Sequence, residues 1–284
     1  MRHICRTGLA ITAITAVTCL GAEPPSRVAT APSPAMGQNA TMPAPAATGK
    51  VSEAGILCPT TDEAARRFYN DATALQKEGQ LPEAQESYRK AIAKDPRYCD
   101  AMDNLGLLYR RQGDVGNAIY WYKRSIEVKP DNAVAHQNLA VAYGVSGESE
   151  KALEEYLWLV RSFPDNPEGH YGLGQCYLAM GQVNKAVAPL QRAEELYRLG
   201  SSPLLPDAHY LLGIAFFRLK DYRKAKEYLE LAYPLMENDP SVNYLLGLSY
   251  LEPQIEDLSK AKRHLLKAKD LGVKVPEELL KNLP

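Results

Sequence analysis

The first 67 residues of this 284-residue chain contain no phenylalanine, tyrosine or tryptophan; all 17 Tyr, 4 Phe and 2 Trp lie between Phe68 and Tyr250. Large rings anchor cores, so their absence excludes a packed N-terminal domain and places the start of the folded part near residue 61. Net charge is almost absent as well: 33 Lys plus Arg stand against 34 Asp plus Glu, a formal charge of -1. With no basic field to gather phosphates, charge argues against a nucleic-acid partner. Long apolar runs are also missing. The longest, Gly8–Leu20, has about 13 residues, short of the roughly 20 that a membrane-spanning helix takes. What remains, 45% hydrophobic and 24% charged residues, is ordinary globular composition.

Arg2, His3 and Arg6 precede Gly8–Leu20, and the small residues Gly21 and Ala22 follow it. That order is the layout of a secretory signal peptide over residues 1–22. Cys19 adds an alternative, because lipoproteins are cleaved just before a Cys that is then acylated. The preceding Ala16-Val17-Thr18 departs from their usual Leu at the third position upstream and Gly or Ala immediately before. Residues 23–60 are rich in Pro, Ala, Ser and Thr without periodicity, the composition of a disordered linker. About 40 flexible residues span roughly 35 Å root mean square.

From residue 61 onward the chain repeats itself. Ala84, Ala118, Ala152 and Ala186 are spaced by 34, as are Gly79, Gly113, Gly147 and Gly181, and Pro96, Pro130 and Pro164 keep the same period. Each proline follows an apolar pattern of helical spacing, such as Ala84, Tyr88 and Ala91, and so marks a helix end. Two glycine and alanine ladders in phase define a repeat architecture.

The motif resembles the tetratricopeptide repeat. Leu105, Gly106, Tyr109, Gly113, Ala118, Tyr122 and Pro130 show it best, and Leu139, Ala140, Tyr143, Gly147, Ala152 and Tyr156 repeat it. The first repeat departs at Asp71, where an apolar residue is usual. Five extra residues enter within 199–205, since Gly174 to Gly213 is 39, and two more enter the turn of the sixth repeat. The resemblance implies an all-α fold over residues 61–284: a right-handed superhelical solenoid of about six helix-turn-helix units starting near 65, 99, 133, 167, 206 and 240. A C-terminal capping helix at 276–283 would cover its last apolar face. Pro167, Pro206 and Pro240 share one slot in the first turn of a helix, where a missing N–H costs no helical bond.

Chemistry-bearing patterns are scarce. His136, His170 and His209 occupy one slot of successive repeats, about one helix-packing distance or roughly 10 Å apart, too far to share a metal. No carboxylate pair, Ser-His-Asp layout, phosphate loop or CxxC appears, so the chain reads as a non-enzyme with no cofactor and no metal. Cys58 falls just before the first helix of repeat one and Cys99 at the start of the first helix of repeat two, helix starts that stacking brings side by side. A disulfide there would stabilise the first repeat by roughly 4 kcal/mol; two free thiols are the other reading. Cys176 falls inside a helix as a small buried residue.

The family resemblance implies a concave groove lined by the first helix of each repeat, which binds a protein or peptide partner. Its slots fall at Tyr69 and Thr73, Asp103 and Leu107, Gln137 and Val141, Tyr171 and Gln175, Tyr210 and Ile214, Tyr244 and Leu248. Arg110, Arg111 and Phe217 lie beside them. The early repeats add Lys77, Arg110 and Arg111 near the groove, whereas the slots of repeats four to six, with Phe217, suit an apolar or aromatic-bearing segment. Chaperone-binding members clamp a carboxylate with Lys and Asn, then Asn, then Lys and Arg. Asn104 and Asn138 fit the middle slot, but the Lys and Arg are absent, which disfavours a cytosolic co-chaperone. The expectation is an exported, periplasmic interaction scaffold with no small-molecule substrate. Six repeats and this length also resemble the pilotin lipoproteins of type IV pili, which would need an acylated Cys19 for membrane attachment at the outer membrane.

Overall fold

A computed structural model describes residues 58–284. The expected signal peptide at 1–22, nearly all of the 23–60 linker and Cys19 lie outside the described residues. Among the described residues there are thirteen α-helices, one 3-10 turn and no strand, and no helix is long and apolar enough to cross a membrane. The chain divides into two compact units after Cys176, and each is treated by itself.

Residues 58–176 carry three helix hairpins: α1 (Glu63–Lys77) with α2 (Leu81–Lys94), α3 (Cys99–Arg111) with α4 (Val115–Val128), and α5 (Ala133–Val145) with α6 (Ser149–Ser162). Most of α7 (Pro167–Ala179) also belongs here. Start signals are local. Asp62, Asp114 and Asn132 accept from backbone N–H groups of the first turns of α1, α4 and α5, removing orphan donors that would otherwise cost about 1 kcal/mol each. Between the hairpin helices, Gly79, Gly113 and Gly147 hold φ of 79°, 82° and 81°. Only glycine adopts that conformation without strain, which is why the ladder recurs.

Small residues let the paired helices close. Ala84, Ala118 and Ala152 are fully buried, and a Cβ added to Gly106 would come within 2.7 Å of the Tyr122 ring. Tyr88 and Tyr122 are fully buried and Tyr156 nearly so, one on the second helix of each hairpin. The N-terminal edge is tied down: Cys58 and Cys99 are joined through their sulfurs with Cα atoms 5.3 Å apart. Beside that bond, the Cys58 N–H donates to Asp100 Oδ1 at 3.0 Å and the Thr60 hydroxyl donates to Asp95.

Residues 177–284 carry α8 (Val183–Leu199), α9 (Leu205–Arg218) with α10 (Tyr222–Ala232), α11 (Pro240–Tyr250) with α12 (Leu258–Asp270), and the short α13 (Glu277–Lys281). The five extra residues are split between a longer helix, since α8 runs to 17 residues, and the turn that follows it. The slot held by glycine in the first four repeats is Lys220 in the fifth, and it keeps the left-handed backbone at φ 62°. Leu279, Leu280 and Leu283 are buried at the end of the chain, and Lys262 Nζ donates to the Leu283 carbonyl at 3.0 Å.

Candidate functional site

The slots lie on the first helices of the hairpins. In residues 58–176, Leu107 on α3, Gln137 and Val141 on α5, and Tyr171 and Gln175 on α7 are all half-buried, while Arg110 is half-buried and Arg111 exposed. They recur because the 34-residue period returns each helix to the same face. Gln175 Nε2 donates to the Tyr171 hydroxyl at 3.4 Å. Tyr69 is engaged on several sides: Asn104 Nδ2 donates to its hydroxyl at 2.8 Å, and its ring meets Tyr88 edge-on at 5.6 Å and Tyr98 at 5.1 Å. Burial raises the Tyr69 phenol above its ordinary pKa. Thr73 turns its hydroxyl back to the Asn70 carbonyl.

Asp103 differs from the slot expectation. It is 6% exposed, and its Oδ2 accepts from Asn132 Nδ2 at 2.8 Å, while the same Nδ2 donates to Ser125 Oγ at 2.9 Å. Asn132 Oδ1 in turn caps α5. The carboxyl thus fastens one repeat to the next instead of facing a ligand. Burial pushes it up to about 7, with the Asn132 and Ser125 hydrogen bonds opposing. Sequence reasoning missed this network; the signal was an Asp among apolar neighbours in register with a capping Asn.

In residues 177–284 the slots are closed. Tyr210, Ile214 and Leu248 are 5%, 3% and 0% exposed, and Phe217 is buried with its ring edge-on to Tyr222 at 5.3 Å. Only Tyr244 is half-open. The expected apolar character is present, but these side chains do not stand free on a solvated face.

The histidines are packing residues. His136 stacks on Trp158 at 3.5 Å between ring centroids, its Nδ1 meeting Glu155 Oε2 at 2.6 Å and its Nε2 the Pro130 carbonyl at 3.0 Å. His170 Nε2 reaches the Pro164 carbonyl at 2.8 Å in the same way. His209 lies 3.4 Å from Glu194, and burial lowers its pKa. Outside the ladder, His264 bonds Asn243 Oδ1 at 3.1 Å, and burial pulls it down to about 4. No group of three or more His, Cys, Asp or Glu among the described residues could hold a metal. Burial pushes the Cys176 thiol up to about 12, which removes thiolate reactivity at neutral pH.

Sequence profiles of the tetratricopeptide repeat match residues 69–133, 121–154 and 168–238, together more than half of the chain. The chain belongs to the tetratricopeptide-repeat family. Solved structures agree on the fold. One described as a functional characterization of Pseudomonas aeruginosa pilF has a TM-score of 0.66 at 18% identity, covering 78% of this tetratricopeptide-repeat chain and 96% of that one. The anaphase-promoting-complex hetero-tetramer Cut9-Hcn1 gives 0.63 at 20% identity over 77% of this chain, which spans 42% of that chain's length. YrrB, described as having an unusual peptide-binding site, gives 0.56 at 20% identity, covering 69% of this chain and 97% of that one. No curated protein matches the sequence. The fold is therefore that of a protein-protein interaction scaffold, a family of repeats that is generally non-catalytic.

Proposed function

We propose that this tetratricopeptide-repeat protein is a non-catalytic scaffold that holds a peptide or partner domain against the first helices of its repeats, in assembly of a bacterial envelope complex. The observation that carries the reading is the half-open register of Leu107, Gln137, Val141 and Gln175 on successive first helices of residues 58–176. Apolar and amide side chains at one register fit an extended or helical segment that needs both contact area and hydrogen bonds. Export to the periplasm, with Arg2, Arg6 and Gly8–Leu20 as the signal, accounts for a paired Cys58 and Cys99.

The test is capture of envelope proteins by cross-linking, with the Leu107→Asp and Val141→Asp double variant beside the parent. Lost capture at unchanged helical circular dichroism supports the reading; equal capture removes these faces from it.

A second reading is a membrane-attached assembly factor of the pilotin lipoprotein type. It is favoured by Cys19 and by the likeness to the P. aeruginosa pilF structure over nearly its full length. Intact mass of the native chain, unreduced and with free thiols alkylated, separates the two. A start near Glu23 supports the soluble scaffold, whereas a start at Cys19 with added acyl chains supports membrane attachment.

A further inference from the structure

The last turn of α3 carries two cations, Arg110 and Arg111, and cations there suit the negative end of a helix. Their surroundings ask for more than that. On the second helices nearby cations are partnered: Arg89 with Glu86, Arg124 with Glu127 and Lys151 with Glu148. Arg110 and Arg111 form no ion pair among the described residues. Arg110 is half-buried, and its Nε is buried with no acceptor. A guanidinium presents five donors in a fixed fork, so one held half-buried without a carboxylate forgoes its strongest hydrogen bonds.

The charge of the pair reaches across the first unit. Burial raises the phenols of Tyr88, Tyr122 and Tyr156, one on the second helix of each hairpin; Arg111 opposes that rise at Tyr88 and Tyr122, and Arg110 opposes it at Tyr122 and Tyr156. No acid on the adjacent first helix offsets these cations, because α5 contains no Asp or Glu. Asp103, two turns back on α3, is buried against Asn132 with its pKa raised to about 7.

Room is present as well. α3 packs beside α5, and one 34-residue period after Arg110 and Arg111 the chain has Gly144 and Val145. A Cβ added to Gly144 would meet nothing within 4 Å, and Val145 is 48% exposed. The position on α5 in register with Arg110 is therefore open. Half-open Leu107 and Val141 lie one turn earlier on the two helices, followed toward the helix starts by the amides of Asn104, Gln137 and Asn138.

We propose that Arg110 and Arg111 receive an acidic segment of the partner protein. One carboxylate enters beside Gly144 and accepts a bidentate pair of hydrogen bonds from Arg110, a second acid a few residues away pairs with Arg111, and an apolar side chain between them lies on Leu107 and Val141. The proposal rests on the scaffold reading above and gives its half-open face a ligand class. Both cations come from the end of one helix, so the arrangement differs from the clamp of Lys and Asn on successive repeats whose cations this chain lacks.

The test is selection of random twelve-residue peptides, displayed on phage, against the full chain and against its Arg110→Gln and Arg111→Gln double variant. At equal helical circular dichroism, the parent should enrich peptides with two Asp or Glu around an apolar residue, and the variant should not. Neutral or basic peptides from the parent, or the same acidic ones from the variant, overturn the proposal. The best acidic peptide, resynthesised with a fluorophore, should bind the double variant on the order of tenfold more weakly and should weaken with added salt; equal binding overturns the proposal, as does citrate competing at the peptide's own concentration. Gly144→Glu and Gly144→Gln give a second readout at a site with space for either side chain. Glu should mimic the ligand's carboxylate and lower peptide affinity well below that of the Gln variant, whereas equal affinities overturn the proposal. If capture of envelope proteins needs Leu107 and Val141 but not the two arginines, this inference fails and the scaffold reading stands.

Discussion

The two units solve the same close approach of paired helices with different side chains. In residues 58–176 the second helix brings a tyrosine: a Cβ on Gly106 would come 2.7 Å from Tyr122. In residues 177–284 it brings a leucine, with Leu229 and Leu265 each 2.6 Å from the Cβ that Gly213 and Gly247 lack. A ring fills more volume but is flat, stiff and polar at its tip, whereas leucine is smaller and adjusts. The first unit accordingly carries a buried polar network and half-open faces, and the second has first helices sealed in apolar contact. One repeat pattern thus supports a partly wet surface in one place and a closed apolar one in another.

The largest way to separate the units is through the disulfide, which closes its loop within residues 58–176 alone. The Cys58→Ser and Cys99→Ser double variant should lose about 4 kcal/mol there in the chain-entropy picture. Hydrogen exchange of α1 and α2 should rise while α11 and α12 keep their protection; equal loss in both units breaks the comparison. Next come the glycines. Gly106→Ala should cost about 2 to 3 kcal/mol in urea unfolding, because a rigid ring must move. Gly213→Ala should cost less than about 1 kcal/mol, because a leucine rotamer change and better helix propensity offset the crowding.

Acidity should move the units in opposite directions. Asp103 has a folded pKa raised to about 7, so the folded unit holds a proton that the unfolded chain releases near 4. Its stability contribution is present at low pH and is lost as pH rises from about 4 to 7. His264 is lowered to about 4 from an ordinary value near 6.5, so its contribution is present above about 6.5 and is lost as pH falls toward 4. Asp103→Asn should flatten the first profile and leave the second unchanged, as read by exchange of α3 and α12 between pH 4 and 7. A small effect of opposite sign is Lys220→Gly, which should stabilise residues 177–284 by about 1 kcal/mol by relieving a left-handed backbone. No gain in urea midpoint would mean that the Lys220 side chain compensates.

Much of the fold was legible because its physics is local. The glycine turns at 79, 113 and 147, the capping Asp62 and Asn132, and the alanines at 84, 118 and 152 each answer a steric or hydrogen-bonding demand within one hairpin, and periodicity makes that demand repeat. The slot positions on the first helices were legible for the same reason. Their state was not. Asp103 occupies the position of a groove residue yet turns to Asn132 and Ser125, a choice made by residues 29 and 22 positions away in the chain. Tyr69 is likewise claimed by Asn104, 35 residues on.

From sequence alone followed an all-α repeat chain, the period of its turns, the small residues at its tight contacts and the absence of a basic field. Tertiary structure alone decided which slots face solvent, that Lys220 would stand in for glycine, and that the stripe on α9 and α11 is closed while those on α3 and α5 are half-open. The reason is that helix starts, turns and close contacts are set by neighbours a few residues apart. The burial of a side chain is set by whatever packs across it, and a 34-residue pattern carries no record of that.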